Sequence, residues 1–170
     1  MAFGKDELNM EKRYYLAYGS NLNVWQMKHR CPSARIIGTA EIKDYRLLFK
    51  GSLTGSYLTI EKHQGSVVPV GVWEVSAKDE QQLDIYEGYP AFYYKKELRL
   101  KVKEMRTGQV RNRKAFVYIM HEDRPFGLPS ARYVKTCRQG YTDFQFDKMF
   151  LEQALADTKE GIEYERELYN

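Results

Sequence analysis

The sequence has little cysteine and no long apolar run, and each shortage excludes a class of protein. Two cysteines, Cys31 and Cys137, occur in 170 residues without a CxxC pair or metal-ligand spacing, which argues against a disulfide scaffold and a thiolate metal site. Cys137 has no activating neighbour in the sequence, so we expect a buried structural thiol. No segment is apolar for long enough to cross a membrane. These features predict a reduced, cytoplasmic protein with no membrane partner.

Motifs for common cofactors and nucleophiles are also missing. The three histidines, His29, His63 and His121, lie outside any HExxH pattern, and we expect them to be surface or packing residues. Neither GxGxxG nor GxxxxGKS/T occurs, and no GxSxG marks a nucleophilic serine. We therefore expect no metal, no nucleotide and no other cofactor.

Positive charge is not concentrated enough to indicate a nucleic-acid partner. The formal net charge is +4, and acidic and basic residues alternate along most of the chain, whereas nucleic-acid binders usually gather Lys and Arg on one face. The densest basic stretch, residues 106–114, contains Gly108 and Asn112 and separates two strand-like runs. This composition predicts a solvated hairpin turn, and we expect no nucleic-acid binding.

The length and composition indicate one globular domain. The chain is 43% hydrophobic and 29% charged, without repeats or a linker rich in Pro, Gly and Ser. Residues 1–12 are charged and lack the apolar core of a signal peptide, so we expect a disordered lead-in. Residues 13–157 form the predicted domain, and residues 158–170 are predicted to be a charged, loosely held tail.

Short β-rich runs outnumber helical segments in this domain. The predicted strands, from periodicity and turn signals, cover residues 13–18, 34–50 with a bend near Asp44, 57–62 and 67–75 around a turn at Gly65, 93–104 and 114–121. The predicted helices cover residues 22–30, 76–87, 129–140 and 146–157, and the second opens with a capping box. Because the strands are grouped and do not alternate with helices, we expect an α+β fold, a small mixed and largely antiparallel β-barrel with flanking helices.

The stretch YLAYGSN, residues 15–21, is the first candidate site. An aromatic strand ends there in Gly19, Ser20 and Asn21, directly before a predicted helix. Backbone N–H groups at such a junction lack intrahelical partners and a glycine lets the backbone approach a ligand, so the stretch suits a carboxylate or an oxyanion. An ordinary strand-to-helix turn with a Ser or Asn cap has the same composition, and the stretch alone does not separate the two.

Glu87 is the second candidate, at the predicted end of a helix and directly before Gly88. The helix dipole is unfavourable for an anion at this position, and aromatic residues surround it in the sequence. A carboxyl that is partly desolvated there would have a raised pKa and could serve as general base and then general acid. A solvated glutamate beside a C-cap glycine is the competing interpretation.

Taken together, these stretches resemble the γ-glutamylcyclotransferase family, including its γ-glutamylamine-directed relatives. The resemblance extends from about Tyr14 to Leu155. It rests on four segments in the order of the family, YLAYGSNL, HRCPSARIIGTAEIKDYRLLF, VVPVGVWEVSAKDEQQLDIYEGYPAFYYKK and AFVYIM followed by PSARYVKTCRQGYTDFQFD. The resemblance implies a small mixed barrel with flanking helices, in which the YGSN loop forms one wall of the pocket.

The resemblance also implies roles for individual residues. Glu87 matches the catalytic acid/base of the family, although the register leaves open whether Tyr93 or Tyr94 is the pocket tyrosine that follows it. The implied substrate-binding residues are Tyr18, Gly19, Ser20, Asn21, Leu22, Tyr93 and Tyr133.

The implied activity is γ-glutamylcyclotransferase. The α-amine of a small-molecule γ-glutamyl substrate attacks its own γ-carbonyl, which gives 5-oxoproline and a free amino acid or amine. Such a reaction needs a base and an acid but no cofactor or metal. The alternative is a non-catalytic small-molecule binding module on the same fold. The sequence leaves open the leaving group and whether the protein is a homodimer.

Overall fold

The computed structural model describes residues 12–52 and 54–170 of the chain. The elements in chain order are β1 (Arg13–Ala17), a 3-10 turn (Ser20–Leu22), α1 (Val24–Arg30), β2 (Arg35–Ser52), β3 (Gly55–Val75), α2 (Ala77–Glu87), β4 (Tyr93–Glu104), β5 (Val110–Met120), α3 (Ala131–Asp143) and α4 (Met149–Tyr169). Residues 1–12 are predicted to be disordered, and of these only Lys12 is among the described residues.

The five strands close into a barrel in the order β1-β3-β2-β4-β5. β1 is antiparallel to β3, with Arg13 opposite Val75, and parallel to β5, with Tyr14 opposite Ala115. The remaining pairs are antiparallel, and helices flank the barrel. The predicted α+β fold, a small mixed and largely antiparallel barrel, is confirmed.

β2 and β3 are long strands that pair along nearly their whole length. The two strands predicted at residues 57–62 and 67–75 belong to one strand, and the turn predicted at Gly65 is a bulge in which residues 63–66 have no partner on β2. Gly65 has a φ of 86° and Asp44 a φ of 60°, and the Gly65 N–H donates to Asp44 Oδ1 at 2.9 Å. The register shifts between Lys43 and Tyr45, so the predicted bend at Asp44 is a bulge. The local turn signals are satisfied at this bulge, and pairing between the two strands resumes on both sides of it.

The core fills the barrel and the space beneath the helices with apolar side chains. Five fully buried examples from the strands are Leu16, Phe49, Ile60, Val72 and Phe116. Both cysteines are buried and free, as expected for Cys137, and burial raises the pKa of each thiol to about 12. The thiols are therefore protonated and unreactive at neutral pH.

The last helix, α4, extends past the predicted domain boundary at residue 157. Thr158 is fully buried, and its Oγ1 accepts a hydrogen bond from the Phe49 N–H of β2 at 2.9 Å. A Cβ at Gly161 would lie 2.8 Å from the Phe126 ring, so this turn of the helix also packs closely. Two small residues, Thr158 and Gly161, make these contacts. The other residues of this segment are mostly charged, so its composition predicted a loosely held tail.

Two further findings concern the surface of the described part of the chain. The basic stretch forms the turn between β4 and β5, where Gly108 has a φ of 71°, as predicted. None of the helices within residues 12–52 and 54–170 is both long and apolar enough to cross a membrane.

Candidate active site

The turn between β1 and α1 forms one wall of the candidate site. Its 3-10 geometry is closed by hydrogen bonds from the Leu22 N–H to the Gly19 oxygen at 3.0 Å and from the Asn23 N–H to the Ser20 oxygen at 3.1 Å. The N–H groups of Ser20 and Asn21 precede the first of these bonds, so they have no acceptor within the turn. They are the donors that such a turn can offer to a ligand.

Asn21 fixes this turn to the barrel and to α1 through three hydrogen bonds. Its Nδ2 donates to the Tyr15 hydroxyl at 3.0 Å, its Oδ1 accepts from Arg30 Nη1, and its carbonyl oxygen accepts from Trp73 Nε1 at 3.1 Å. Because both polar atoms of the side chain are engaged within the protein, the group of Asn21 that remains for a ligand is its backbone N–H.

Glu87 is positioned by the two ends of α2. Ser76 and Asp79 form the predicted capping box at the start of the helix, and Gly88 ends it with a φ of 62°. Burial raises the pKa of Glu87 to about 7, while the positive charge of Arg30 acts in the opposite direction. A carboxyl with a pKa near neutrality can both accept and return a proton at physiological pH.

A cavity of about 290 Å³ brings the turn and Glu87 together. Its lining includes all but one of the residues that the sequence singles out, namely Tyr18, Gly19, Ser20, Asn21, Glu87, Tyr93 and Tyr133. The turn and the carboxyl therefore lie on the walls of one cavity, and its size suits a small ligand.

Leu22 does not line this cavity, in contrast to the prediction that it contacts the substrate. Its side chain is fully buried in the core, and its N–H is already donated to Gly19. An apolar side chain directly after the turn is drawn into the barrel core, so Leu22 supports the turn from behind.

The structure also decides between the two neighbouring tyrosines of β4. Tyr93 lines the cavity and donates its hydroxyl hydrogen bond to the Leu58 oxygen at 2.8 Å. Tyr94 points to the other face of the strand, where its hydroxyl donates to Glu122. Successive side chains of a strand lie on opposite faces, so one of the two had to face away.

Several lining residues escaped the sequence analysis, some of them next to the predicted site residues and others distant in the chain. These are mainly aromatic residues, Tyr15, Tyr57, Tyr86, Phe92 and Tyr118, together with Leu16, Leu58, Ile85 and Gly88. Half of the lining is aromatic. Strand periodicity assigns such residues to a face, but it does not show which face borders a cavity.

The described part of the chain contains no cluster of side chains suited to bind a metal ion. Within residues 12–52 and 54–170, no three His, Cys, Asp or Glu side chains lie close enough together to hold a metal ion.

Comparisons with known proteins agree with this site. The family model for gamma-glutamyl cyclotransferase, AIG2-like proteins matches residues 15–135, a segment that contains both the turn and Glu87. A search of curated proteins gives no match.

Solved structures share the fold of this chain. A structure named gamma-glutamyl cyclotransferase is 27% identical over 85% of this chain and 86% of its own, with a TM-score of 0.67. An uncharacterized protein from Homo sapiens is 27% identical over the same shares, 85% and 86%, with a TM-score of 0.66. A gamma glutamyl cyclotransferase from yeast, named as specific to glutathione, shares the fold with a TM-score of 0.53. It is 12% identical over 88% of this chain and 96% of its own.

The family match and the 27% identical structure named gamma-glutamyl cyclotransferase indicate an enzyme of the cyclotransferase type. The family model spans most of the chain and includes both walls of the cavity. By this match, the chain belongs to the family of gamma-glutamyl cyclotransferase, AIG2-like proteins.

Proposed function

We propose that this protein converts γ-glutamyl amino acids or amines into 5-oxoproline and the free amino acid or amine, with Glu87 as general acid/base. One observation carries the proposal. A carboxyl with a pKa of about 7 lines the same small cavity as a turn whose leading N–H groups have no acceptor within it.

The reaction begins with proton removal. The Glu87 carboxylate takes a proton from the α-ammonium group, and the free amine attacks the γ-carbonyl carbon of the same molecule. A C–N bond forms, which closes a five-membered ring. The attacking and attacked groups belong to one molecule, so most of the entropic cost of bringing them together is removed once the chain is held bent.

The second step expels the leaving group. The bond between the γ-carbon and the leaving nitrogen breaks, and the protonated Glu87 carboxyl returns its proton to that nitrogen. The regenerated carboxylate then passes the second extra proton of the ring nitrogen to the released amine, so the products are 5-oxoproline and the protonated amine, and Glu87 ends as a carboxylate. No water is consumed and no covalent enzyme intermediate forms, so one carboxyl is sufficient.

The turn supplies the opposite wall in this mechanism. The backbone N–H groups of Gly19, Ser20 and Asn21 hold the substrate α-carboxylate or the oxyanion that develops on the γ-carbonyl oxygen. Tyr18, Tyr93 and Tyr133 enclose the bent γ-glutamyl group. Exclusion of water by their rings strengthens each polar contact with the substrate.

Incubation with γ-glutamyl-alanine and chromatographic detection of 5-oxoproline tests this function. We expect Glu87→Gln and Glu87→Ala to lose at least roughly a hundredfold in kcat/KM, the usual contribution of a positioned acid/base. Glu97→Gln is the matched control, because Glu97 is an exposed glutamate of β4 and should leave the rate unchanged. Full activity in both Glu87 variants would show that another group is the base.

A non-catalytic binding module would behave differently in the same experiment. Its melting temperature would rise with γ-glutamyl-alanine or 5-oxoproline, while no product would form from any γ-glutamyl compound tested. That result would replace the proposed enzymatic function by ligand binding.

A further inference from the structure

Arg30, the last residue of α1, lies between the two walls of the cavity. Its Nη1 donates to Asn21 Oδ1 and lies 3.5 Å from Ser20 Oγ. On its other side, the guanidinium carbon lies 3.3 Å from the centre of the Tyr86 ring. Tyr86 directly precedes Glu87 at the end of α2. One side chain therefore touches both the ligand-facing turn and the helix end that carries the carboxyl.

The direct contact between the two walls is weaker than this bridge. The Ser20 hydroxyl and the Tyr86 hydroxyl are 3.5 Å apart, at the limit of a hydrogen bond. A planar guanidinium can donate in its plane and stack on an aromatic ring with its face at the same time. Arg30 uses both capacities, and this combination fixes the distance between the turn and the end of α2.

The electrostatic surroundings of Glu87 point to the same residue. The groups that interact electrostatically with it come from α1, β1, β4 and β5. They are Arg30, Tyr15, Tyr18 directly after β1, Tyr93 and Tyr118. The tyrosines are neutral, because burial is the largest of the influences that raise their pKa values. Arg30 is the cation of this set, and it lowers the pKa of Glu87 against the effect of burial.

We propose that Arg30 is a positioning residue for the reaction, which sets the spacing between the substrate-binding turn and Glu87. The proposal rests on the function proposed above. Arg30 does not line the cavity, so it acts through Ser20, Asn21 and Tyr86 and not by touching the substrate.

Two substitutions separate the geometry of Arg30 from its charge. Arg30→Lys keeps the positive charge but loses the planar fork and the stacking face. We expect about a tenfold or larger loss of kcat/KM at the optimal pH, in line with the usual effect of misplaced reacting groups, and an unchanged acidic limb of the pH profile. Arg30→Met removes both contributions, so the rate falls and the acidic limb moves to higher pH.

Matched controls exclude a general effect on folding. Arg35 pairs with Glu74 at 2.9 Å on the exposed surface, and Arg35→Lys and Arg35→Met should retain the rate and the pH profile of the parent protein. Tyr86→Leu removes the ring beneath the guanidinium and should resemble Arg30→Lys. A parent-like rate for Arg30→Lys would overturn the positioning role.

Two readouts do not depend on turnover and keep this proposal distinct from the proposed function. Hydrogen exchange at the Leu22 and Asn23 amides, whose hydrogen bonds close the turn, should be faster in Arg30→Lys than in the parent protein, because the turn loses its tie to α2. A carbon-13 NMR titration of the Glu87 carboxyl should have a higher midpoint in Arg30→Met and a parent-like midpoint in Arg30→Lys. Unchanged exchange and an unchanged midpoint would overturn the inference even if 5-oxoproline forms. If exchange and the NMR midpoint both change but no 5-oxoproline forms, the proposed reaction is wrong and the positioning role of Arg30 stands.

Discussion

The Tyr133 hydroxyl accepts a hydrogen bond from the backbone N–H of Leu58 at 3.1 Å. The carbonyl oxygen of the same leucine accepts from the Tyr93 hydroxyl at 2.8 Å. β1 pairs with β3 between Gly71 and Val75, well beyond this position, so two tyrosines of β4 and α3 satisfy the backbone of β3 beside the cavity. Two predicted substrate-binding residues thus also hold the cavity wall in place.

Tyr133→Phe should therefore reduce stability as well as activity. The substitution leaves the Leu58 N–H without this acceptor, which costs about 1–3 kcal/mol for a buried donor. Urea denaturation measures the free energy of unfolding. Tyr57→Phe is the control, because the Tyr57 side chain is 38% exposed at the cavity mouth and its loss of a hydroxyl should have a small effect. Equal stability of the two variants would show that the Leu58 hydrogen bond contributes little.

The pH dependence of the reaction should reflect the environment of Glu87. The base form is required for proton removal, and burial raises the pKa of this carboxyl to about 7. We expect kcat/KM to fall as the pH drops below about 7. The midpoint of this decrease reports the pKa of Glu87 in the free enzyme. A rate profile from about pH 5 to 9 measures it. A limb near the ordinary glutamate range would mean that Glu87 is solvated or is not the base.

The same pKa shift predicts how Glu87→Gln changes stability. The folded pKa is raised above the value near 4.5 of a solvated glutamate, so the folded state binds the proton more tightly than the unfolded state. Stability from this group is present below about pH 4.5 and is lost as the pH rises through about 7, because the folded protein must then bury a charge.

The glutamine variant stays neutral at every pH, so it should gain stability relative to the parent protein over this interval. The expected gain at pH 8 relative to pH 4.5 is up to about 3 kcal/mol. Thermal or urea unfolding of both proteins at the two pH values measures the difference. A difference in stability that does not change with pH would contradict the burial of a charged Glu87.

The lining of the cavity predicts which leaving groups are accepted. Among the described residues of the lining, Glu87 alone bears a carboxylate, ammonium or guanidinium group, and the exposed Tyr57, Ile85 and Tyr86 make its mouth apolar. An acidic side chain on the leaving group would lose water there without gaining a cation.

We therefore expect γ-glutamyl-glutamine to turn over about tenfold or more faster than γ-glutamyl-glutamate, since the two are nearly isosteric and differ in one charge. Values of kcat/KM under identical conditions test this, with γ-glutamyl-alanine as the reference substrate. A preference for the glutamate compound would require a cationic group near the leaving-group side.

Some features of the site follow from local sequence. The capping box at Ser76 and Asp79 and the left-handed Gly88 place Glu87 at the last position of α2, and each depends on residues within one or two turns. Glycine at position 88 is required because φ there is positive. Gly19, Ser20 and Asn21 likewise form a turn before a helix, as their composition predicts.

Other features depend on contacts that are distant in the chain. The strands predicted on either side of Gly65 are one strand, since pairing with β2 continues past it. Leu22 belongs to the core, while Tyr15, Tyr86 and Tyr118 border the cavity. Hydrophobic patterning gives the buried face of an element, but not which of the other elements will cover it.

The sequence by itself determined where the turn and the acidic helix end occur, because caps, glycines and strand periodicity act over a few residues. Closure of the barrel decided the rest. It brought residues 19–21 and Glu87 to one cavity, and it placed Arg30 between them. The raised pKa of Glu87 also belongs to the tertiary structure, because desolvation requires aromatic side chains from separate strands and helices to enclose one carboxyl.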